Sequence, residues 1–455
     1  MARFLAVTSR SKSRLLIRII TSIILLALLL SENTSFQFRA ARRDFIRYQT
    51  QHRVSPGKVA VYDSHQFHDE VHGSILWALV QFSSLEILFY RPPWRWRFQE
   101  VIHSFWTEEP RDPKLFLDDL RADSAIGHVV LATCDWEWKH IGRDLEVIWE
   151  DRDASHKFDI LCFRHWPDSS FTRALAPFVL KQAISLMGLG DHVGRGLRSK
   201  AHDAIDAYIN KPEEAVMTTA YNLLPIRTFV PIFPPDLSVA PAVTTPTSDA
   251  SLTVALIQSS SWDEKHRSLN ATFTTLESAL QQDPSIWGYA KPRFQDGAYT
   301  ALPEDELSSP RFGLKLLGAR IPTIPARLSN VVSHRGQVAY PEFYQAMHDA
   351  DIVLPAFGTD GYDVNRASST IGTAATAMVP LLVSPHIAQQ YGWFCSALKI
   401  DRPDNVEEME IVQRVRAKKM SWEWRDKRKQ DFIECQADWT IRNMIALADA
   451  SAPKR

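Results

Sequence analysis

Cysteine is scarce in this sequence, and common zinc-binding and nucleic-acid-binding signatures are missing. The chain has 4 cysteines in 455 residues. None forms a CxxC pair and no HExxH motif occurs, which excludes a disulfide-framework protein and the familiar zinc modules. Lysine and arginine (52) balance aspartate and glutamate (53), so the net charge is -1. Electrostatics therefore gives no reason to expect a nucleic-acid partner.

The four cysteines are also scattered. Cys134 and Cys162 each lie in or beside an apolar run, where a free cysteine behaves as a small buried hydrophobic side chain. The sequence leaves the disulfide state of the four cysteines open; at these two positions it favours free thiols over a bridge, which an oxidising lumen would permit.

An apolar run at residues 15–30 follows a short basic segment. At about 1.5 Å per residue a helix of this length spans roughly 24 Å, enough for a bilayer if Arg18 extends toward the headgroups. No small-residue cleavage site directly follows, which favours an uncleaved signal anchor. We therefore predict a cytosolic tail (1–14), a transmembrane anchor (15–30), a stem (31–55) and a lumenal remainder. Such a protein would be single-pass, type II, and resident in the Golgi or endoplasmic reticulum.

Short apolar runs alternate with helical patterns over residues 56–230. Strands joined by helices rather than by tight turns favour parallel pairing and an α/β domain. The predicted strands are Lys58–Asp63, Glu86–Tyr90, His128–Thr133 and Phe158–Phe163, and the predicted helices are His72–Gln81 and Phe171–Leu186. Prolines then crowd residues 231–251, which blocks regular structure and predicts an interdomain linker.

A second strand–helix series covers residues 252–405. Its predicted elements are, in chain order, Thr253–Gln258, Leu269–Gln281, Phe312–Gly318, Val331–Gln337, Pro341–His348, Asp351–Phe357, Ser369–Ala377 and Val379–Ser384. Apolar residues at helical spacing predict C-terminal helices over 406–455. The sequence therefore predicts an α/β protein with two Rossmann-like domains that face a cleft.

Ligands of open α/β sheets bind beyond the carboxyl ends of the strands. The loop after Asp351–Phe357 leads to hydroxyl side chains where a helix should begin, and a helix N-terminus with free N–H groups suits a diphosphate. The predicted phosphate-binding residues of this loop are Tyr362, Arg366, Ser368, Ser369 and Thr370. The alternative is that a serine here only caps the helix.

Two further loops belong to the predicted phosphate site. Lys265 and Arg267, after the strand Thr253–Gln258, could reach a phosphate from the opposite wall of the cleft. A pair of solvated loop charges is the alternative interpretation. Gly318 ends a strand of the same sheet and is also assigned to this site.

The loop after the first predicted strand is rich in titratable side chains. Histidine has a pKa near working pH, as a general base requires. The candidate catalytic residues of this loop are His65, His68, Asp69 and Glu70. The alternative is a polar loop whose acidic residues favour the first turn of a helix. Asp135, beyond His128–Thr133, could orient such a histidine or bind acceptor hydroxyls.

Four motifs resemble the donor domain of GT-B glycosyltransferases. They are LLGAR at 316–320, HRGQVAYPEFY at 334–344, ADIVLPAF at 350–357 and VPLLVS at 379–384. The chain also resembles fungal single-pass (type II) glycosyltransferase-like proteins, which share its Tyr…Ala-Ser-Ser-Thr element. The resemblance implies a nucleotide-sugar donor on the C-terminal half, an acceptor on the N-terminal half and no obligatory metal. It also implies a base from the loop after the first strand, as inverting members often have.

One position departs from that family. Retaining GT-B enzymes commonly place a glutamate near the position of Thr373, and Gly372–Thr376 holds no carboxylate here. Asp360 and Asp363 are candidate substitutes for binding the ribose.

The resulting hypothesis is a metal-independent glycosyltransferase without a cofactor other than its nucleotide-sugar co-substrate. Its partners would be that donor, a glycan, protein or lipid hydroxyl acceptor, and the membrane, with no nucleic acid. The alternatives are a catalytically degenerate protein of the same fold that binds a sugar, nucleotide or protein, and another reaction on nucleotide sugars such as epimerisation or phosphorolysis.

Overall fold

The computed structural model describes residues 36–51, 56–66, 68–237, 252–294, 297–358, 361–362, 364–417 and 422–451. The chain divides into two compact units, Met1–Arg53 and Val54–Arg455. The described part of the first unit is the helix α1 (Phe36–Gln51), within the predicted stem. The predicted anchor at 15–30 lies outside the described residues. Of the helices that are described, none is both long and apolar enough to cross a membrane.

The second unit begins with a six-stranded parallel sheet whose order is β2-β1-β3-β4-β5-β6. Its strands are β1 (Gly57–Tyr62), β2 (Leu85–Tyr90), β3 (Ile126–Leu131), β4 (Asp159–Arg164), β5 (Ile184–Gly188) and β6 (Ile226–Thr228). The helices between them are α2 (Asp69–Leu79), α3 (Phe98–Ile102), α4 (Phe116–Ala122), α5 (Cys134–Asp151), α6 (Ser169–Ala174), α7 (Ala176–Leu180), α8 (Asp191–Asp206) and α9 (Glu214–Leu223).

A second six-stranded parallel sheet follows, in the order β11-β10-β7-β12-β13-β14. Its strands are β7 (Val254–Gln258), β10 (Gly313–Leu317), β11 (Val332–Arg335), β12 (Ile352–Val353), β13 (Leu381–Val383) and β14 (Lys399–Asp401), while β8 (Tyr289–Ala290) and β9 (Thr300–Ala301) form a separate antiparallel pair. The helices are α10 (Leu269–Gln282), α11 (Tyr340–His348), α12 (Ser369–Thr376), α13 (Pro385–Tyr391), α14 (Glu408–Ala417) and α15 (Trp422–Ser451).

Both sheets reverse their strand order beside their first strand. The reversal lies between β1 and β3 in one sheet and between β7 and β12 in the other. A crevice for ligands opens at such a reversal, beyond the carboxyl ends of the strands. The arrangement of two doubly wound parallel sheets is consistent with the GT-B fold, and it directs attention to the loops after these four strands.

The two sheets share apolar packing. One cluster of buried side chains contains residues of both, including Val61 of β1 and Val353 of β12. Helix α15 also returns to the N-terminal half, where the Asn443 amide donates to the Val230 carbonyl and accepts from its N–H, both at 2.8 Å. These contacts hold the two halves in one unit.

Two predicted elements are corrected by the structure. The segment Phe171–Leu186 is not one helix but the short helices α6 and α7 followed by β5, because Pro177 interrupts the helical hydrogen bonding and the next apolar residues enter the sheet. The segment Asp351–Phe357 pairs as a strand only over Ile352–Val353. Pro355 lacks the N–H that continued pairing would require.

The expectation of free thiols is wrong. Cys134 and Cys162 form a disulfide with a Cα–Cα distance of 5.2 Å, and Cys395 and Cys435 form another at 6.3 Å. Cys134 and Cys162 are 28 positions apart, and the parallel strands β3 and β4 bring them together. Spacing along the chain cannot show such a pairing, because it depends on which strands become neighbours.

Candidate active site

Two adjoining cavities lie at the carboxyl ends of the strands and form one cleft between the sheets. Their volumes are about 350 Å³ and about 210 Å³. Both are lined by Glu70 from the N-terminal half and by Ser260 and Ser369 from the C-terminal half. We call these two spaces the cleft.

A larger cavity of about 610 Å³ lies between β10, β11 and α11. Its lining includes Asp236 and Leu237, beside residues 238–251, which the structure does not describe. We place no site there, because its lining contains none of the titratable pairs found in the cleft.

His68 is held in the cleft by an unusual backbone conformation. It precedes α2 with φ 59° and ψ 48°, a left-handed geometry that costs a residue with a side chain roughly 1–2 kcal/mol. Its carbonyl accepts hydrogen bonds from the N–H groups of Val71 (2.8 Å) and His72 (3.2 Å), which stabilise the turn. Strain of this kind persists where the surrounding structure imposes it and is frequent at functional sites.

His68 and Glu70 form a pair that faces the cleft. The Nδ1 atom of His68 lies 3.5 Å from Oε1 of Glu70, and their side chains are 36% and 20% exposed. Partial burial opposes the charge on His68, but the hydrogen bond and the negative charge of Glu70 outweigh it and raise the pKa of His68 above its usual value. A histidine beside a carboxylate in an accessible cleft is suited to accept a proton from a hydroxyl group.

His165 and Asp135 line the same cavity. The rings of His165 and His68 are 4.9 Å apart. Burial, with the nearby positive charges of His68 and Arg164, lowers the pKa of His165 well below its usual value. Asp135 is ion-paired with the buried Arg164 at 3.0 Å. Asp135 therefore lies in the cleft as predicted, and its direct partner is an arginine.

The opposite wall is the predicted phosphate loop and the start of α12. Ser368 is the N-cap residue of α12, yet its hydroxyl makes no capping hydrogen bond, so the capping interpretation does not hold for this side chain. Its N–H instead donates to the Tyr391 hydroxyl at 2.9 Å. The exposed Ser369 begins the helix and borders both cavities. The N-terminus of this eight-residue helix therefore lies at the cleft.

Arg366 lies above two aromatic rings in this wall. Its guanidinium carbon is 5.2 Å from the centre of the Tyr362 ring and 5.5 Å from that of Trp166. Nε2 of His192, on α8, lies 3.0 Å from the Arg366 carbonyl oxygen and fixes the backbone. Arg366 and the His68–Glu70 pair line the same cavity of the cleft, the one of about 350 Å³.

Other predicted donor residues lie in the interior. Arg267 is 3% exposed, and its guanidinium donates to the carbonyls of Gln258 (3.0 Å) and His266 (2.8 Å) and to Oγ1 of Thr370 (2.7 Å). Thr370 is fully buried and donates to the Gln258 side chain at 2.6 Å. The prediction that these two residues contact a phosphate is therefore not supported, because their polar atoms join β7 to α12.

Lys265 and Gly318 have different positions. Lys265 is exposed and lines neither cavity of the cleft, so the structure does not bring it to the predicted phosphate. Gly318 lines the smaller cavity, and a Cβ atom there would lie 1.8 Å from the Ser259 carbonyl oxygen. Only glycine permits this close approach of the two loops.

Two predicted catalytic residues of the N-terminal loop also lie away from the cleft. Asp69 is fully buried and ion-paired with Arg91 at 2.6 Å, so its role is structural. His65 packs against the rings of Trp136 (4.8 Å) and His140 (5.2 Å) and does not line the cleft. Of the four candidates in that loop, His68 and Glu70 are the two that the structure places in the cleft.

Sequence reasoning missed Trp166 and His192. Trp166 follows the end of β4 by two residues, a position that could have marked it. No local signal could have identified His192, whose contact with Arg366 spans 174 positions. Thr373 lines the smaller cavity and donates to the Ser369 carbonyl at 2.7 Å. Asp360 and Asp363, the suggested substitutes for a carboxylate there, lie outside the described residues.

Comparisons with known proteins find similar structures but no similar sequence. No protein-family model matches the chain, and no curated protein sequence matches it. Among solved structures, an alpha-glucosyltransferase in complex with UDP-glucose and DNA containing an abasic site is similar at a TM-score of 0.49 and 10% identity, covering 83% of this chain and 94% of that one.

Two other solved structures give similar values. The N-terminal domain of Candida albicans trehalose-6-phosphate phosphatase has a TM-score of 0.45 and 12% identity, covering 87% of this chain and 97% of that one. Sucrose-phosphate synthase from Thermosynechococcus elongatus has a TM-score of 0.43 and 12% identity, covering 86% and 96%. Since these scores lie below 0.5, we base the fold on the strand order of the two sheets.

Proposed function

We propose that the protein is a glycosyltransferase that moves a sugar from a nucleotide-sugar donor to a hydroxyl acceptor. The observation that carries the proposal is the cavity of about 350 Å³ in which the His68–Glu70 pair faces Arg366 and the N-terminus of α12. One wall offers a proton acceptor, and the other offers donors for an anionic leaving group.

In the proposed reaction, His68 takes the proton of the acceptor hydroxyl as its oxygen bonds to the anomeric carbon of the donor sugar. The bond between that carbon and the diphosphate oxygen breaks, and negative charge develops on the leaving diphosphate. Arg366, Ser369 and the α12 N–H groups stabilise this charge. Glu70 keeps His68 oriented. This arrangement requires no metal at the diphosphate, because the positive field comes from the protein.

Thermal-shift measurements on the full chain with UDP, GDP and their sugars test the binding half of the proposal. A matching nucleotide should raise the melting temperature. Arg366→Ala should weaken that binding by about 10- to 150-fold, since hydrogen bonds to charged groups contribute about 1.5–3 kcal/mol. Arg143→Ala, at an exposed position on α5, is the control and should bind as the unaltered chain does. An unchanged affinity in the Arg366 variant would contradict the phosphate assignment.

Turnover tests the other half. His68→Ala should keep nucleotide binding and lower the rate about 10²- to 10⁴-fold, the usual contribution of a general base. His156→Ala, in an exposed turn, is the matched control. Turnover should be the same with and without added Mg²⁺. A His68 variant as active as the control would remove His68 from the mechanism.

A second candidate is a protein of this fold that binds a nucleotide or sugar without transfer. It is favoured by Thr373, which stands where retaining relatives of GT-B type place a carboxylate. Nucleotide binding with no transfer to any of a panel of glycan, peptide and lipid acceptors would support this candidate.

We also propose that the catalytic part lies in the lumen of the Golgi or endoplasmic reticulum, anchored by residues 15–30. The two disulfides support this placement, since such bonds persist in oxidising compartments. Protease treatment of sealed microsomes should leave a C-terminal tag intact, whereas digestion of the tag would refute a lumenal orientation.

A further inference from the structure

Beneath the cleft lies a closed group of polar side chains that the proposed reaction does not use. Asp63 follows β1, His72 lies on α2 and Glu137 lies on α5, and all three side chains are fully buried. One potential ligand atom from each lies within 4.8 Å of the other two. We call this group the Asp63–His72–Glu137 cluster.

The hydrogen bonding of His72 determines which of its nitrogens faces the cluster with a lone pair. Its Nδ1 lies 3.1 Å from the His68 carbonyl oxygen. Because a carbonyl only accepts, Nδ1 carries the proton and Nε2 of the neutral ring is an acceptor. Nε2 lies 3.6 Å from Oδ2 of Asp63.

The cluster therefore brings together three acceptors without a donor. Oδ2 of Asp63, Nε2 of His72 and Oε1 of Glu137 have no hydrogen-bond partner among the residues that the structure describes. Buried polar atoms are normally satisfied, and each one left unsatisfied costs about 1–3 kcal/mol. A positively charged species, or a proton, has to compensate them.

The charges around the cluster also favour a bound cation. Asp63, Asp69 and Glu137 are buried carboxylates; the guanidinium of Arg91 lies 2.6 Å from Asp69 and 3.6 Å from Asp63, and the positive charge of Arg95 also acts on Asp69. Asp135 is neutralised separately by its ion pair with Arg164 at 3.0 Å. When all three carboxylates are ionised, they face two guanidinium groups, and no positive charge of the described residues is recorded as acting on Glu137. Burying that carboxylate without a counter-charge is strongly unfavourable, and a bound cation would compensate it.

We propose that Asp63, His72 and Glu137 bind a divalent transition-metal cation, Zn²⁺ or Mn²⁺, through Oδ2, Nε2 and Oε1. One imidazole nitrogen and two carboxylate oxygens form a ligand set that suits these ions. Two ligands about 2.1 Å from a tetrahedral metal are roughly 3.4 Å apart, close to the distance of 3.6 Å between Nε2 and Oδ2.

Outer contacts orient all three ligands. The second carboxylate oxygen of Asp63, Oδ1, accepts from the N–H groups of His65 (2.9 Å) and Gln66 (3.2 Å). The Nδ1–H of His72 donates to a backbone carbonyl, as metal-bound histidines usually do. The second carboxylate oxygen of Glu137, Oε2, accepts from the Thr133 N–H at 3.1 Å. The cation would tie β1, α2 and α5 together directly below His68 and Asp135, and so fix the floor of the cleft without contacting the donor.

The metal content of the purified full chain tests the proposal. The unaltered chain, produced with Zn²⁺ and Mn²⁺ and then gel-filtered, should retain about one metal ion per chain by mass spectrometry of the elements. Glu137→Gln and His72→Gln should each reduce this to near zero. Glu146→Gln is the matched control, because Glu146 lies on the same helix but its side chain is 40% exposed and pairs with Lys181. That variant should keep its metal.

The competing outcome is a proton held by Glu137, whose pKa is raised well above its usual value by burial and by the charge of Asp63. A metal-free unaltered chain, with a melting temperature that does not respond to Zn²⁺ or Mn²⁺, would overturn the proposal. An infrared band of a protonated carboxyl group that disappears in Glu137→Gln would then identify the proton. If a variant fails to fold, the metal content of the unaltered chain decides alone. Neither the metal analysis nor the infrared measurement involves nucleotide binding. The proposed metal site and the proposed function can therefore be refuted independently of each other.

Discussion

Removing the Cys134–Cys162 bridge should reduce both stability and activity. The two cysteines are 28 positions apart, and the entropy of closing such a loop in the unfolded chain corresponds to about 3.6 kcal/mol. The Cys134→Ala/Cys162→Ala variant should therefore unfold at a lower urea concentration, with a loss of roughly 3–4 kcal/mol in the free energy of unfolding.

The second bridge provides the comparison. Cys395 and Cys435 are 40 positions apart, for which the same reasoning gives about 3.9 kcal/mol. The Cys395→Ala/Cys435→Ala variant should thus lose nearly as much stability. The functional effects should differ, because Cys134 directly precedes Asp135 and Cys162 is followed within three positions by His165, both of which line the cleft.

Equilibrium urea unfolding and a donor-turnover assay, each run on both variants, test this reasoning. We expect similar losses of stability and a loss of turnover mainly in the Cys134→Ala/Cys162→Ala variant at temperatures where both are folded. Unchanged unfolding in that variant would refute the loop-closure estimate. An equal loss of turnover in both variants would refute the view that this bridge positions the site.

Three further predictions concern single residues. Glu70→Gln removes the negative charge that raises the pKa of His68. Because His68 is inactive as a base when protonated, the acidic limb of the pH–rate profile should move to lower pH. A limb that stays in place would show that another group titrates. Gly318→Ala places a methyl group 1.8 Å from a carbonyl oxygen and should destabilise the chain by about 1–3 kcal/mol in urea unfolding, and an unaffected variant would contradict the close approach. Asp69→Ala removes the nearer of the two carboxylates beside the buried Arg91, leaves Asp63 at 3.6 Å, and should cost about 3 kcal/mol, seen as a loss of folded protein. Normal folding with lost turnover would restore a catalytic role.

The alternation of strands and helices can be predicted from the sequence because it depends on local hydrophobic patterns. Short apolar runs such as Leu88–Tyr90 of β2 and Ala255–Ile257 of β7 are buried on both faces in a parallel sheet, which leaves the same signature in any such protein. The prediction of a single helix over Phe171–Leu186 is wrong because a short apolar run suits a buried helix and a buried strand equally well. Pro177 and the β5 pairing resolve the ambiguity only in the folded chain.

For the candidate site, the local sequence predicts which residues lie at the ends of strands, but it does not predict which way their side chains point. His68 and Asp69 are neighbours in the chain, yet His68 lines the cleft and Asp69 is buried against Arg91. Arg267 and Arg366 are both arginines in loops after strands of the second sheet. The first holds backbone carbonyls in the interior and the second lines the cavity.

The sequence by itself determined the two-sheet α/β plan, the position of the loop that leads into α12 and the concentration of titratable groups after β1, because hydrophobic periodicity and helix starts are local properties. The tertiary structure alone decided which of these groups share the cleft, which cysteines form bridges, and that Asp63, His72 and Glu137 meet in the interior. Those relations join residues far apart in the chain, and they arise from the order of strands in the sheets and from the burial of charge between them.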